Sequence, residues 1–143
     1  MAPASDDGGV KEHADHRSLR VLVVDDAADV RNLVAAHLKR CGHKVLIAED
    51  ASQGLDIAMG EKPDLAIIDI MMPGMNGYEL TQTLREMPVT EDLPIIVLTA
   101  RAGGADRAHA FRVGADSFIQ KPFELQRLTD EIATVMSLAA DAA

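Results

Sequence analysis

Four short apolar runs in this chain of 143 residues each end in polar side chains. The runs are residues 21–24 before Asp25 and Asp26, 65–68 before Asp69, 95–98 before Thr99, and 117–120 before Lys121. Apolar runs of this length, separated by helical patterns, are typical of parallel strands that are buried on both faces of a sheet. In an open α/β sheet, ligands bind just outside the carboxyl ends of the strands. The sequence therefore predicts a functional site at one edge of the sheet.

The alternation of strand and helix patterns predicts the fold class. Five strand patterns, each followed by a helix pattern, indicate an α/β fold of the (βα)5 type. Its sheet should be doubly wound, parallel and five-stranded, in the order 2-1-3-4-5. Residues 27–40 should form the first helix, because apolar side chains recur there at helical spacing. The predicted buried face of that helix consists of Val30, Leu33, Val34 and Leu38.

Glycine residues predict where several of the other elements end. The second helix should be ended by Gly60 and Pro63, and residues 73–77 should form a long loop after the third strand. Gly103 and Gly104 should form a flexible loop after the fourth strand. These turn signals place loops directly beside the predicted site.

Length and composition favour one domain. A chain of 143 residues is long enough for one hydrophobic core and too short for two domains of ordinary size. We expect residues 1–18 to be a disordered leader, residues 19–138 to form the domain, and residues 139–143 to be a short tail. One domain is therefore expected within these residues.

Charge and cysteine content indicate the compartment and the partners. No export signal and no membrane-spanning stretch is visible in the sequence, and a single cysteine, Cys41, cannot form an internal disulfide. A cytoplasmic location follows as the expectation. The formal net charge of −9 disfavours direct binding to nucleic acid, because it repels phosphate backbones. Proteins and cations are the expected partners.

Three carboxylates should meet where the strand order reverses, between the first and third strands. Asp25 and Asp26 follow the first strand, and Asp69 follows the third. Carboxylates this close repel one another, and a site made only of oxygen ligands favours Mg²⁺. Asp69 stands alone at its strand end and is the candidate nucleophile, which leaves Asp25 and Asp26 to hold the metal. The sequence predicts that Asp69 forms an acyl phosphate.

Two neighbouring strand ends carry groups that would bind a phosphoryl group on Asp69. Lys121 offers a long cationic side chain, and the Thr99 hydroxyl can donate a hydrogen bond. The Lys121–Pro122 bond is predicted to be cis, so that the lysine turns back into the site. Taken alone, each polar residue could serve as a cap or a turn residue, and Asp26 would serve well as the N-cap of the first helix. Such roles do not explain why acids, hydroxyl and amine share one sheet edge.

Other candidate sites have weaker support. His13 and His16 flank Asp15 and could bind a transition metal. Their spacing and their place in a leader that should be disordered argue against a metal site there. The sequence contains neither a GxGxxG loop nor a GxxxxGK[ST] loop. Dinucleotide binding and direct use of ATP as the phosphate donor are therefore disfavoured.

At these residues the sequence resembles the receiver domain of bacterial two-component response regulators, in particular stand-alone regulators of the chemotaxis kind. The resemblance covers about residues 19–136. Its motifs are Val24-Asp25-Asp26, residues 68–77, Leu98-Thr99-Ala100, Gly114-Ala115-Asp116 and Lys121-Pro122-Phe123. It implies a flavodoxin-like receiver fold in which Asp69 accepts a phosphoryl group from a histidine kinase. It also implies Mg²⁺ binding by Asp25, Asp26, Asp69 and the backbone carbonyl of Met71.

The resemblance further implies a conformational switch. Thr99 would move toward the phosphoryl group, and an aromatic residue on the fifth strand, here Phe118, would turn inward behind it. The face formed by the fourth helix, fifth strand and fifth helix would then control a protein partner. Met71 and Arg101 occupy positions that tune the phosphoryl lifetime, and we expect slow self-hydrolysis. Such a domain is a phosphoacceptor with self-catalysed chemistry and not an enzyme that turns over a substrate.

The sequence leaves several functions open. The domain could control a protein partner, or it could act as a shuttle that passes its phosphoryl group to a histidine phosphotransfer protein. A phosphate-independent pseudo-receiver that serves only for docking is disfavoured, because no member of the site is missing. A Mg²⁺-dependent aspartyl-phosphate hydrolase is disfavoured because Asp69-Ile70-Met71 lacks the second acid of an Asp-x-Asp motif.

Overall fold

A computed structural model describes residues 18–101 and 103–142, and it contains one sheet with helices on both faces. The strands are β1 (Arg20–Val24), β2 (Lys44–Ala48), β3 (Leu65–Asp69), β4 (Ile95–Thr99) and β5 (Ser117–Gln120). The helices are α1 (Ala28–Arg40), α2 (Ala51–Glu61), α3 (Gly77–Glu86), α4 (Gly104–Arg112) and α5 (Leu125–Ala142). All strand pairs are parallel, in the order β2-β1-β3-β4-β5. The predicted fold class and strand order are confirmed.

Two apolar cores cover the two faces of the sheet. Alternate residues of each strand point to opposite faces, and every residue of β3 and β4 is buried. One core packs the sheet against α1 and α5 through Val34, Leu38, Leu128 and Ile132. The other packs it against α2, α3 and α4 through Ala58, Leu80, Leu84 and Ala110. Coverage on both faces explains why these strands are apolar throughout rather than alternating.

The loop between β3 and α3 is held in place from both ends. The Gly77 N–H donates a hydrogen bond to the Ile70 carbonyl, with an N to O distance of 3.0 Å. Asn76 caps α3 by accepting from the Glu79 N–H, and the Glu79 carboxylate accepts from the Asn76 N–H. A side chain at position 77 would collide with the Asp69 carbonyl oxygen and the Ile70 Cα. Only glycine fits where α3 passes this close to the end of β3.

The structure tests two predicted details of the first two helices. Leu33 is 56% exposed, because the buried stripe of α1 runs through Arg31, Val34, Ala35 and Leu38. The helix α2 ends at Glu61, between the predicted stop residues Gly60 and Pro63, and its C-cap Lys62 lies in the left-handed region with φ of 49°. Gly60 itself still belongs to the helix, because a single glycine there costs only about 1 kcal/mol relative to alanine.

Differences also occur around α4 and α5. Gly103 is the N-cap of α4 and Gly104 is its first residue. The two glycines therefore begin the helix and do not form the predicted flexible loop. The helix α5 extends to Ala142, which makes residues 139–142 helical rather than a separate tail. Residues 1–17, which include most of the predicted leader and both His13 and His16, lie outside the described residues. Within the described part of the chain, no helix is long and apolar enough to cross a membrane.

Candidate functional site

The strand order brings the predicted acids together. Asp25 directly follows β1, Asp69 is the last residue of β3, and the two strands are adjacent with Val24 paired to Ile68. Asp25, Asp26 and Asp69 each offer a carboxylate oxygen, and these oxygens lie within 4.8 Å of one another. Asp25 and Asp69 are buried, whereas Asp26 is exposed. The sheet therefore creates one acidic site at its carboxyl edge.

Asp25 is the most firmly held of the three carboxylates. One of its oxygens accepts a hydrogen bond from the Ala27 N–H at 2.9 Å, and the other accepts from Lys121 Nζ at 3.1 Å. This contact with Ala27 satisfies a free N–H at the start of α1, where Ala27 itself supplies no side-chain cap. The capping role considered for Asp26 thus falls to Asp25, because the Asp26 carboxylate accepts no hydrogen bond from any described residue.

Lys121 bridges the two buried acids. Its ammonium group donates to Asp25 at 3.1 Å and to Asp69 at 3.2 Å. Burial lowers the pKa of Lys121, but the charges and hydrogen bonds of Asp69 and Asp25 outweigh burial and raise it overall. The Lys121–Pro122 peptide bond is cis in the structure. The lysine is charged at neutral pH and occupies the position from which it can reach an added anionic group.

The Asp69 carboxyl group lies in an environment that opposes its ionisation. Burial, followed by the charge of Asp25, raises the pKa of Asp69 to about 6 from an ordinary value of 3.8. Lys121 and a hydrogen bond from the Met71 backbone act in the opposite direction. The site therefore carries more negative charge than the lysine neutralises, and a further cation would stabilise the ionised form.

Thr99 lies at the end of β4 and is fully buried. Its hydroxyl oxygen accepts from the Arg101 N–H at 3.0 Å, and its carbonyl accepts from the Lys121 N–H at 2.7 Å. Because a hydroxyl is a donor as well as an acceptor, the Thr99 proton can still serve another acceptor. The backbone contact with Lys121 ties two of the predicted site residues together.

The other predicted switch and tuning residues lie in β5 and in the loops that follow β3 and β4. The Phe118 ring is already buried, and the Arg107 guanidinium of α4 lies 5.7 Å from the ring centroid. The Arg101 side chain is directed toward Asp106 of α4, with 3.8 Å between Nε and the carboxylate. Met71 is 50% exposed beside the acids. The structure thus connects the end of β4 and the β5 aromatic to α4.

The donor set fits a divalent cation. When fully ionised, three carboxylates and one ammonium group leave a net charge of −2 on the site. Carboxylate oxygens are the ligands that Mg²⁺ prefers, and this ion commonly keeps several waters. A bound cation would reduce the repulsion between the two buried carboxylates of Asp25 and Asp69. Among the described residues, this is the one group of acids, histidines or cysteines close enough to hold a metal ion.

Sequence reasoning missed one residue beside the site. Arg31 lies in α1 and is buried, and its guanidinium donates to the Asp25 carbonyl at 2.9 Å. A signal was available, since position 31 belongs to the buried stripe with Val34, Ala35 and Leu38, at spacings of three, four and seven. An arginine where the helix pattern calls for an apolar residue indicates a specific polar partner.

A doubly wound sheet in the order 2-1-3-4-5, with acids and a lysine at its carboxyl edge, defines a flavodoxin-like signalling domain. The response regulator receiver domain family matches residues 21–133. The chain belongs to this family, whose members function in two-component phosphorelay signalling. Receiver domains bind Mg²⁺ at an acidic cluster such as the one described above.

Comparisons with known proteins agree with this assignment. The chain is 37% identical over 116 residues to the phosphate regulon transcriptional regulatory protein PhoB of Pseudomonas aeruginosa, which covers 81% of this chain and 51% of that protein. It is 35% identical over 118 residues to protein PilH of the same organism, covering 82% of this chain and 98% of PilH. The chain spans about half the length of the first curated relatives it matches.

Solved structures show the same fold. The chemotaxis protein CheY4 of Vibrio cholerae superimposes with a TM-score of 0.80 at 29% identity, covering 83% of this chain and 99% of that protein. A putative response regulator from Chloroflexus aurantiacus gives a TM-score of 0.81 at 30% identity, covering 85% and 99%. The flavodoxin-like receiver fold is thereby confirmed.

Proposed function

We propose that Asp69 accepts a phosphoryl group from a sensor histidine kinase or a histidine phosphotransfer protein. The observation that carries this proposal is the position of Lys121 Nζ, within hydrogen-bond distance of both Asp25 and Asp69. An ammonium group held between two buried acids can form hydrogen bonds with the phosphoryl oxygens when one of these acids is phosphorylated. The chain would act as a signalling domain and not as an enzyme that turns over a substrate.

The transfer is a displacement at phosphorus. An Asp69 oxygen attacks the phosphoryl group of the donor, the P–N bond to the donor histidine breaks, and the imidazole nitrogen keeps the electron pair and takes a proton. Asp25, Asp26, Asp69 and the Met71 carbonyl would hold Mg²⁺, which offsets the charge of the phosphoryl oxygens. Lys121 and the Thr99 hydroxyl supply further donors to those oxygens.

A phosphoryl group can shift the conformation only by binding one state better than the other. The Thr99 hydroxyl is the group that would gain a hydrogen bond, and Phe118 lies in the next strand. We propose that their movement alters the α4-β5-α5 face and so controls a downstream protein partner. Arg107 supports this link, since its guanidinium lies near the rings of both Phe111 and Phe118. Transfer onward to a histidine phosphotransfer protein uses the same acceptor and is the second candidate.

The phosphoryl lifetime depends on what lies beside Asp69. We propose that Met71 shields the acyl phosphate from water, and that Arg101 leaves Asp106 to approach the phosphoryl oxygens. If Arg101 contributes to slow self-hydrolysis, an Arg101→Ala variant should lose its phosphoryl group faster than the native chain, measured by intact mass after removal of the donor. Arg40→Ala removes an exposed arginine at the end of α1, away from the site, and is the matched control. An unchanged rate in Arg101→Ala would exclude a role for that side chain.

Incubation with a small phosphodonor tests the acceptor. The native chain, mixed with acetyl phosphate and Mg²⁺ and then weighed intact, should gain one phosphoryl group, and Asp69→Asn should gain none. Asp56→Asn, which changes an exposed acid on α2, is the control and should behave as the native chain does. Omission of Mg²⁺ should suppress the adduct. If the native chain gains no phosphoryl group at any time point, the result would count against the proposal and favour a phosphate-independent pseudo-receiver that serves for docking.

A further inference from the structure

Arg31 is a buried charged residue that the phosphoacceptor chemistry does not use. It is 8% exposed, and its Nε atom has no hydrogen-bond partner among the described residues. No ion pair joins it to an acid in the described part of the chain. Burial of a guanidinium group under these conditions costs free energy. The residue retains one specific contact, from its Nη1 to the backbone carbonyl of Asp25 at 2.9 Å.

That carbonyl belongs to the peptide unit that joins Asp25 to Asp26. Because a peptide unit is planar, a hydrogen bond to the Asp25 oxygen also fixes the position of the Asp26 nitrogen and Cα. The Asp25 N–H is held from the other side by the Ala48 carbonyl at 3.1 Å. Arg31 therefore holds the last peptide unit before Asp26 while β2 holds the one before it.

The three acids of the site differ in how their side chains are fixed. The Asp25 carboxylate is held by Ala27 and Lys121, and the Asp69 carboxylate is held by Lys121. The exposed Asp26 carboxylate receives no hydrogen bond from the described residues. Among the described residues, the contacts that restrict Asp26 are therefore those of its backbone, and Arg31 is the side chain that contacts the adjoining peptide unit.

We propose that Arg31 is a positioning residue that directs the Asp26 carboxylate toward the metal site. This inference rests on the proposed function, since it assumes that Asp26 is a Mg²⁺ ligand. It explains why an arginine occupies the buried stripe of α1, where an apolar residue would be less costly. Groups that orient metal ligands typically change metal affinity by about 10–100-fold when they are removed.

The sign of the effect separates positioning from simple electrostatics. Removal of a positive charge beside an acidic site would strengthen Mg²⁺ binding if charge alone mattered. Loss of positioning weakens it, because a less restricted Asp26 must be ordered when the ion binds. Arg31→Met removes both the charge and the hydrogen bond, while Arg31→Lys keeps the charge and one donor group.

A Mg²⁺ titration followed by amide NMR, without any phosphodonor, tests the proposal. The Kd of Arg31→Met should be about tenfold higher than that of the native chain, with Arg31→Lys between the two. Arg40→Met removes an exposed arginine from the same helix and should leave the Kd within about twofold. Thermal unfolding without Mg²⁺ checks that each variant is folded. If Arg31→Met does not fold, the comparison of Arg31→Lys with the native chain tests the proposal.

A double-mutant cycle with Asp26→Asn identifies the ligand through which Arg31 acts. If Arg31 acts through Asp26, Arg31→Met should cause little further loss of affinity in the Asp26→Asn background. Equal or tighter Mg²⁺ binding by Arg31→Met, or an undiminished loss in the Asp26→Asn background, would overturn the role of Arg31 alone. A native chain that binds no Mg²⁺ would overturn both this role and the proposed function.

Discussion

At the scale of single residues, the site is a balance between two buried acids and one lysine. Asp69 is 3% exposed and Asp25 is 1% exposed, and Lys121 donates to both. The raised pKa of Asp69 shows that the lysine does not fully compensate for burial and for the charge of Asp25. The free energy of unfolding should therefore fall as Asp69 ionises and rise when a divalent cation binds.

Asp69→Asn should stabilise the chain at about pH 8 in Mg²⁺-free buffer by about 1–2 kcal/mol. The pKa of Asp69 is about 6 in the folded chain and ordinarily 3.8, so its ionisation costs stability. The penalty is absent below pH 3.8, grows between those two values and is complete above about pH 6. Urea unfolding of both proteins should show the difference shrinking toward zero at about pH 4. A difference that is the same at both pH values would contradict this origin.

Lys121→Met should destabilise the Mg²⁺-free chain at neutral pH by about 1–3 kcal/mol, because it leaves two buried carboxylates without their cation. Mg²⁺ should restore part of this loss, since it binds the folded chain. Phosphorylation by acetyl phosphate should slow by about 10²–10³-fold, the typical cost of losing one donor to a developing charge. Lys39→Met, at an exposed position of α1, is the control for both measurements. Unchanged stability and rate in Lys121→Met would exclude the bridging role.

At the scale of elements, the β3–α3 connection positions the acceptor. The helix α3 begins so close to the end of β3 that a Cβ atom at position 77 would collide with the Asp69 carbonyl. The capping box at Asn76 and Glu79 fixes the start of the same helix. The location of Asp69 and of the Met71 carbonyl thus depends on a glycine and on a cap several residues later.

Gly77→Ala should lower the free energy of unfolding by about 2–3 kcal/mol, because the backbone of Asp69 or of α3 must move to accept the methyl group. Gly60→Ala is a matched comparison inside α2, where an added Cβ would meet nothing within 4 Å. There the same change should stabilise the chain by about 0.5–1 kcal/mol through helix propensity. Urea unfolding measures both. Equal effects at the two positions would contradict the close approach of α3 to β3.

The elements also show what sequence patterns can and cannot predict. Strand positions followed from short apolar runs, because strands buried on both faces must be apolar throughout. Helix ends were less predictable. Gly103 and Gly104 were expected to form a loop, but they are the N-cap and the first residue of α4. Glycine marks either a loop or a helix end, so the residue alone does not tell which. The exposed Leu33 shows that the pattern located α1 but not its whole buried face, which includes Arg31 in the first turn of the helix.

At the scale of the whole molecule, the arrangement of the site followed from topology. The acids, Thr99 and Lys121 come together because parallel strands end at one edge, and the sequence alone sufficed to predict this. Side-chain contacts between distant segments could not be predicted from the sequence in this way. Arg85 at the end of α3 donates to the carbonyls of Leu93 and Gly114 and pairs with Asp116 at 2.9 Å. Nothing in local spacing identifies those partners.

The central claim is that the phosphoryl group resides on Asp69, and reductive trapping tests it most directly. Borohydride reduces an acyl phosphate to an alcohol, which would convert a phosphorylated Asp69 to homoserine. After treatment with acetyl phosphate and Mg²⁺, peptide mass spectrometry should find homoserine at position 69 and at no other acid. Its appearance at Asp25 or Asp26 instead, or no Mg²⁺-dependent reduction at any position, would contradict the account.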